Sequence, residues 1–313
     1  MNRLPPVVCT TIVRTAHKSE NHGGIFLVDL ETGRYSQIVD WTDESIDWAG
    51  RGGDRGLRGM ATYKGELWVA ASRALHVFNQ DFEVVRSYTN SFLKGIHEIY
   101  RDENKLLITS TAYDCIVEFD MDAEEFGDVH WLSRRGEDDD DAYIQYQILS
   151  SNSKLLDEMD DTLHINNISI HGDYMLAGAS RVGALLVLNK GQIFPFGKIP
   201  VVTHNAQPFQ GGVVYTLAEK GSLNIDEISG KSRYAFDLIR YPEQNLLHGN
   251  LKREFAHQGF ARGLCMLDED ILVTGSSPAT LSVYSLSQNK CLKTINMTMD
   301  VRQATHSIVP WPP

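Results

Sequence analysis

The sequence predicts an all-β fold, a six-bladed β-propeller. Three observations carry this: a recurring strand–turn–strand unit, intervals near the length of one blade, and two chain ends that each hold part of a sixth unit. Periods of 20–50 residues are the signature of repeat architectures, and a four-stranded propeller blade takes roughly 40 residues.

The first full unit is RGMATYKGELWVAASRALHVFN from Arg58, and the second is HEIYRDENKLLITSTAYDCIVEFD from His97. NNISIHGDYMLAGASRVGALLVLN follows from Asn166, then HNAQPFQGGVVYTLAEKGSLNID from His204 and RGLCMLDEDILVTGSSPATLSVYS from Arg262. In each, KG, DEN, HGD, QGG or DED separates the first two strands. Gly, Asn and Asp tolerate the positive φ that tight hairpins need. Two of the four intervals match one blade. The other two are longer and carry polar insertions, around Arg134–Asp161 and Tyr241–His257, expected to pack over the channel face where first strands begin.

These units make five blades, and the ends supply the sixth. VVCTTIVRTAHKSENHGGIFLVDLETGRYSQIVDW reads as three strands without a first, and ATHSIVPW as a first strand alone. Pairing them closes the ring and removes exposed sheet edges. One domain spanning residues 1–313 is expected. Seven blades would need another blade within an insertion, and neither has enough alternating apolar segments. An α/β fold needs helical periodicity between strands, and only Ile148–Met159 hints at a helix.

Composition narrows the function. Charged residues make up 22% and the net charge is −12, with no basic stripe for nucleic acid or an anionic membrane. A neutral, cationic or small-molecule partner remains. Cys9, Cys115, Cys265 and Cys291 form no CxxC pair and read as buried free thiols of a reducing compartment. The N-terminus shows no signal-peptide pattern, and no 18-residue apolar run is present, so a cytoplasmic protein is expected.

The first strand of each blade lines the channel. Aligning the repeats puts Arg58, His97, Asn166, His204, Arg262 and His306 in one layer, followed by Gly59, Glu98, Asn167, Asn205, Gly263 and Ser307. Three histidines then fall on alternate blades, about 120° apart in an evenly divided ring. Converging neutral imidazoles suit a divalent ion, zinc first, with iron, manganese or copper as alternatives. His164 precedes Asn166 by two residues on the same strand. The metal set is therefore at least three of His97, His164, His204 and His306, and the alternation of strand residues leaves His164 and His306 as rivals. Arg58 and Arg262 are candidate catalytic residues that hold an anionic group by forked hydrogen bonds. His257, beside an insertion, is a candidate rim acid or base. Asn166, Asn205 and Glu98 are candidate substrate-binding residues. His17 and His22 read as surface residues. The acidic run Glu137–Asp141 lacks the alternating spacing of a calcium loop and reads as a solvated loop.

IHEIYRDENKLLITSTAYDCIVEFD, LHINNISIHGDYMLAGAS, THNAQPFQGGVVYTLAEKG and FARGLCMLDEDILVTGSS resemble blades of a bacterial propeller family of conserved hypothetical proteins, over roughly residues 58–287. The shared motifs fall on His97, His164, Asn166, His204 and Arg262, and they bring no family chemistry. By architecture alone, the constellation is similar to that of peptidyl-hydroxyglycine lyases, six-bladed propellers with zinc on three channel histidines and an arginine nearby. Lactonase-type propellers hold calcium on carboxylates and Asn, and a channel whose nearby acid is Glu98 fits them poorly. The expectation is a metal-dependent enzyme, a lyase, hydrolase or isomerase, acting on a small polar or anionic molecule. The alternative is a non-catalytic propeller that binds a ligand or a protein.

Overall fold

Hairpin turns set the strand order. Lys64 and Gly65 both have positive φ (48° and 78°), as do Gln210 and Gly211 (47° and 71°). Two consecutive left-handed residues make the turn whose twist matches antiparallel neighbours. The computed structural model describes residues 3–43, 56–136 and 142–311, and Glu137–Asp141 lies outside them.

Six antiparallel sheets form the blades of a β-propeller. The first joins both chain ends: β1 (Pro6–Val13), β2 (Gly23–Asp29) and β3 (Tyr35–Asp40) follow β25 (Gln303–Pro310), the innermost strand. The second holds β4 (Met60–Tyr63), β5 (Glu66–Ala70), β6 (Ala74–Phe78) and β7 (Val84–Thr89). The third holds β8 (Ile96–Asp102), β9 (Lys105–Ser110), β10 (Cys115–Asp120), β11 (Glu125–Arg135) and β12 (Tyr143–Ser150). The fourth holds β13 (Ile165–His171), β14 (Tyr174–Ala179), β15 (Ala184–Asn189) and β16 (Gln192–Lys198). The fifth holds β17 (Thr203–Phe209), β18 (Gly212–Leu217), β19 (Ser222–Glu227) and β20 (Ser232–Asp237). The sixth holds β21 (Leu264–Met266), β22 (Ile271–Ser276), β23 (Thr280–Ser285) and β24 (Lys290–Asn296).

Closure is as the sequence implies. Cys9 lies opposite Ile308 and Val13 opposite Gln303 across β1 and β25. Apolar clusters fill the spaces between blades; one packs Val7, Cys9 and Ile308 of the first blade against Cys265, Val273 and Leu281 of the sixth. Hydrogen bonds stitch the inner strands together. Gly59 N donates to His97 O (2.9 Å), Thr111 Oγ1 to Ile165 O (2.7 Å) and Asn166 Nδ2 to Thr203 O (2.9 Å). Gly263 N donates to Asn205 Oδ1 (3.0 Å) and Met60 N to Ser307 Oγ (3.2 Å). The approach is tight at Gly59, where a Cβ would sit 2.5 Å from Ile99 N.

Several local expectations need correction. The insertion after Arg134 is not chiefly a lid: its Tyr143–Ser150 stretch pairs with β11 as a fifth, outermost strand. The helical hint at Ile148–Met159 is not realised, because Ile148–Ser150 completes that strand. The 3₁₀ turns Thr111–Tyr113 and Glu243–Asn245 are the helical elements among the described residues, and no helix there is long and apolar enough to cross a membrane. Cys9, Cys115 and Cys265 are buried, with burial pushing Cys9 and Cys265 up to about 12, but Cys291 is exposed on the outer strand β24. His17 is exposed, whereas His22 is fully buried and its Nδ1 accepts from Asp43 N (3.0 Å).

Candidate functional site

Four of the six inner strands break register at the layer that the repeat alignment picks out. The shifts fall between Ile96 and Ile99, Ile165 and Asn167, His204 and Gln207, and across His306 where Thr10 and Thr11 pair with Ser307 and Thr305. A bulge re-aims side chains and is common beside functional sites. The register break lets neighbouring residues serve the channel together, His97 with Glu98 and His204 with Asn205. Simple alternation would send every second one into the blade. Arg58 and Arg262 stand just before β4 and β21.

The head of the channel gathers His97, His164 and His204, whose candidate ligand nitrogens all lie within 4.8 Å of one another. The His97 ring centre is 5.1 Å from that of His164 and 6.2 Å from that of His204. His97 Nδ1 lies 3.0 Å from Gly95 O and 2.8 Å from Thr111 Oγ1, whose own proton goes to Ile165 O. Nδ1 of His97 is therefore the donor, and Nε2 carries the lone pair. His164 Nδ1 lies 3.0 Å from the Asp161 carboxylate, with the same consequence. Such second partners orient metal-binding imidazoles and fix their tautomer. Arg262 Nη2 donates to His204 Nε2 at 2.6 Å.

His164 reaches this point through a locally strained turn. Its φ is +57°, and the buried Asp114 carboxylate, itself on a residue at φ +48°, accepts from the backbone N–H groups of Thr162, Leu163 and Ile165. Burial pushes Asp114 up to about 6, against those hydrogen bonds.

A second layer lies behind the trio. Glu98 Oε1 is 3.3 Å from His306 Nδ1 and accepts from Asn205 Nδ2 at 3.2 Å. His306 has no exposed surface. Its ring centre is 5.8 Å from that of His97, but it is not one of the clustered trio. Burial raises Glu98 to about 8, although Arg262, Asn205 and Arg58 favour its charged form. Burial, reinforced by the two arginines, holds His97 and His306 well below the ordinary imidazole value; burial and Arg262 do the same to His204. Arg262 itself is pushed down to about 9 by burial, Arg58 and Arg14.

Above the trio opens a cavity of about 780 Å³. Arg58, His97, His164, His204, His257 and Arg262 line it, with Arg14, Arg253 and Phe260. The Tyr241–His257 insertion reaches it through Arg253–Phe255 and His257, on the face where inner strands begin. His257 Nδ1 lies 3.0 Å from Gln258 O, and burial lowers its pKa. Asn166, Asn205 and Glu98 are not among the lining residues. The Asn166 amide bridges to β17, and Asn205 ties Glu98 to Gly263, so these three shape the channel wall beneath the cavity. Asp114, Asp161, Thr111, Arg14 and Phe260 also belong to the site, but none occupies the inner-strand positions that the repeat alignment compares.

No family model matches the chain, and no curated protein matches it. Solved structures do. A protein of unknown function from Bacteroides caccae is similar over 99% of this chain and 100% of its own, at 11% identity and a TM-score of 0.59. The computationally designed Ika8 protein is similar over 96% of this chain and 90% of its own, at 12% identity and a TM-score of 0.50. What they share with this chain is its fold. The chemistry has to be read from the channel.

Proposed function

We propose that His97, His164 and His204 hold one divalent ion, zinc first, and that the chain is a metal-dependent enzyme for a small anionic molecule in the channel. The observation that carries this reading is the trio itself: three imidazoles with ligand nitrogens within 4.8 Å, two of them with Nδ1 held by an acceptor. Ligand nitrogens around a tetrahedral zinc lie about 3.3 Å apart, so a small inward shift completes the site. Three protein ligands leave a position open for water or substrate, and a bound ion would polarise an oxygen or lower the pKa of a water there.

The other residues take roles from their positions. Arg262 holds His204 Nε2, so an ion bound at that nitrogen would release the Arg262 guanidinium to an acidic group of the substrate, whereas one bound at Nδ1 would leave the pair in place. Arg58, whose Nη1 donates to Ile96 O and lies 3.5 Å from His97 Nδ1, lines the same cavity and adds positive charge to it. His257 at the rim is held neutral near neutral pH, with Nδ1 donating to Gln258 O, and its Nε2 can accept a proton from a molecule in the cavity. Lyase, hydrolase and isomerase reactions all use these parts. His306 is assigned to Glu98 behind the site and not to the ion.

Elemental analysis of protein purified without chelator tests the reading. About one equivalent of metal is expected, lost in His204→Ala and retained in His306→Ala and His17→Ala. Protein without stoichiometric metal, and with no gain in stability from added zinc, manganese, iron or copper, contradicts the metal centre. The binding-propeller reading would then lead.

A further inference from the structure

Four blades repeat one backbone feature just ahead of the inner layer. Gly56, Gly95, His164 and Val202 all have positive φ (90°, 63°, 57° and 62°). Each stands two residues before its layer member, Arg58, His97, Asn166 or His204. At Gly56 a side chain has no room, since a Cβ would sit 2.5 Å from His22 O. His164 and Val202 carry side chains at this position, and both residues line the cavity. One residue ties the two turns together: Ser180 N donates to His164 O (3.3 Å), and Ser180 O accepts from Val202 N (3.2 Å). The left-handed turn at His164 brings a candidate ligand nitrogen to the trio. The matching turn on the next blade carries an isopropyl group instead.

Nothing local favours valine there. A β-branched residue at positive φ is a genuine outlier, whereas glycine adopts that conformation freely. Burial does not offset the strain, because Val202 is 38% exposed. Strained backbone of this kind clusters where a site makes use of it. Ile12, Val13, Phe255 and Phe260 line the same cavity, so Val202 adds to an apolar share of its wall. The charged lining groups are of both signs, Glu219 and Glu254 among them, and do not select a carbon skeleton. We propose that Val202 determines specificity: its isopropyl group meets an unsubstituted alkyl chain of the ligand, a short aliphatic acid rather than a polyhydroxylated one. This inference rests on the proposed metal centre only for how the acidic group is held.

Calorimetry on the full chain with acetate, butyrate and gluconate tests it, on zinc-loaded and on chelator-treated protein. Each fully buried methylene strengthens binding about fourfold, so butyrate should bind about fivefold or more tighter than acetate. Gluconate should bind no tighter than acetate. Val202→Gly should bring butyrate to within about twofold of acetate. Its zinc content should stay unchanged and its urea midpoint should not fall, since glycine suits the positive φ. If Val202→Gly does not fold, Val202→Thr takes the same test, because it keeps the branched shape and replaces a methyl with a hydroxyl. Equal binding of acetate and butyrate, tighter binding of gluconate, an undiminished butyrate preference in the variant, or no binding of any of the three overturns the proposal. A butyrate preference that Val202→Gly removes, in a protein that never binds zinc, refutes the metal centre alone. Zinc binding without the preference refutes the role of Val202 alone.

Discussion

Glu98→Gln should abolish the alkaline loss of stability that the buried carboxyl imposes. Glu98 is 8% exposed and sits behind the histidine trio, where burial raises its pKa from 4.5 to about 8. A carboxyl whose folded pKa lies above its unfolded one binds its proton more tightly when folded. Its contribution is fully present below pH 4.5 and is lost as pH rises through about 8. Each pKa unit corresponds to about 1.4 kcal/mol, so the ceiling on the loss is on the order of 5 kcal/mol. The buried histidines act on the other limb. His97, His204 and His306 have lowered pKa values, so stability gained by burying them neutral is present above their unfolded pKa and lost as pH falls. Glutamine copies the protonated acid, with an amide donor for His306 Nδ1 and an oxygen for Asn205 Nδ2. Urea unfolding of chelator-treated protein between about pH 5 and 9 measures the effect. The wild type should lose at least about 2 kcal/mol relative to Glu98→Gln over that range. Parallel stability curves for the two proteins would refute the reasoning.

Three further outcomes follow from the same structure. Because His97 and His204 stay neutral well below the ordinary imidazole range, zinc binding between about pH 6 and 7 should release about one proton at most; calorimetry in buffers of different ionisation enthalpy checks this, and release of two or three contradicts it. Asp114→Asn turns an amide donor toward the N–H groups of Thr162, Leu163 and Ile165, and should cost about 1–3 kcal/mol and lower zinc content; unchanged urea midpoint and metal content would remove Asp114 from the account. Deleting residues after Asp300 removes β25 and opens the ring, so cooperative thermal unfolding should disappear, and a truncated protein as stable as the full chain would refute closure.

The ring was legible because its evidence is local and repeated. A turn such as KG or QGG needs only its own residues, and six copies of an inner strand align by eye. That alignment also placed Arg58, His97, His204, Arg262 and His306 around the channel. What it could not resolve was the choice between His164 and His306, because regular alternation fails there. The register shift across His306 and the left-handed turn at His164 are tertiary effects. The turn is held by Asp114, about fifty residues earlier in the chain. Arg14 escaped for a different reason: it follows β1, the second strand of its blade, where the repeat holds no channel residue. Strand β12 was hidden inside a polar insertion because an outermost strand buries little and need not alternate cleanly. His22 was missed because the partner of its Nδ1, the Asp43 N–H, stands 21 residues further along the chain and is not visible as a local pattern.

The proposed metal centre on His97, His164 and His204 has a direct spectroscopic signature. X-ray absorption at the zinc edge of the zinc-loaded full chain tests it most directly. Three imidazole nitrogens at about 2.0–2.1 Å and one oxygen ligand are expected. The spectrum should be unchanged in His306→Ala and should lose one imidazole in His164→Ala. A spectrum with fewer than three imidazoles in the wild type, or one that changes in His306→Ala and not in His164→Ala, would contradict it.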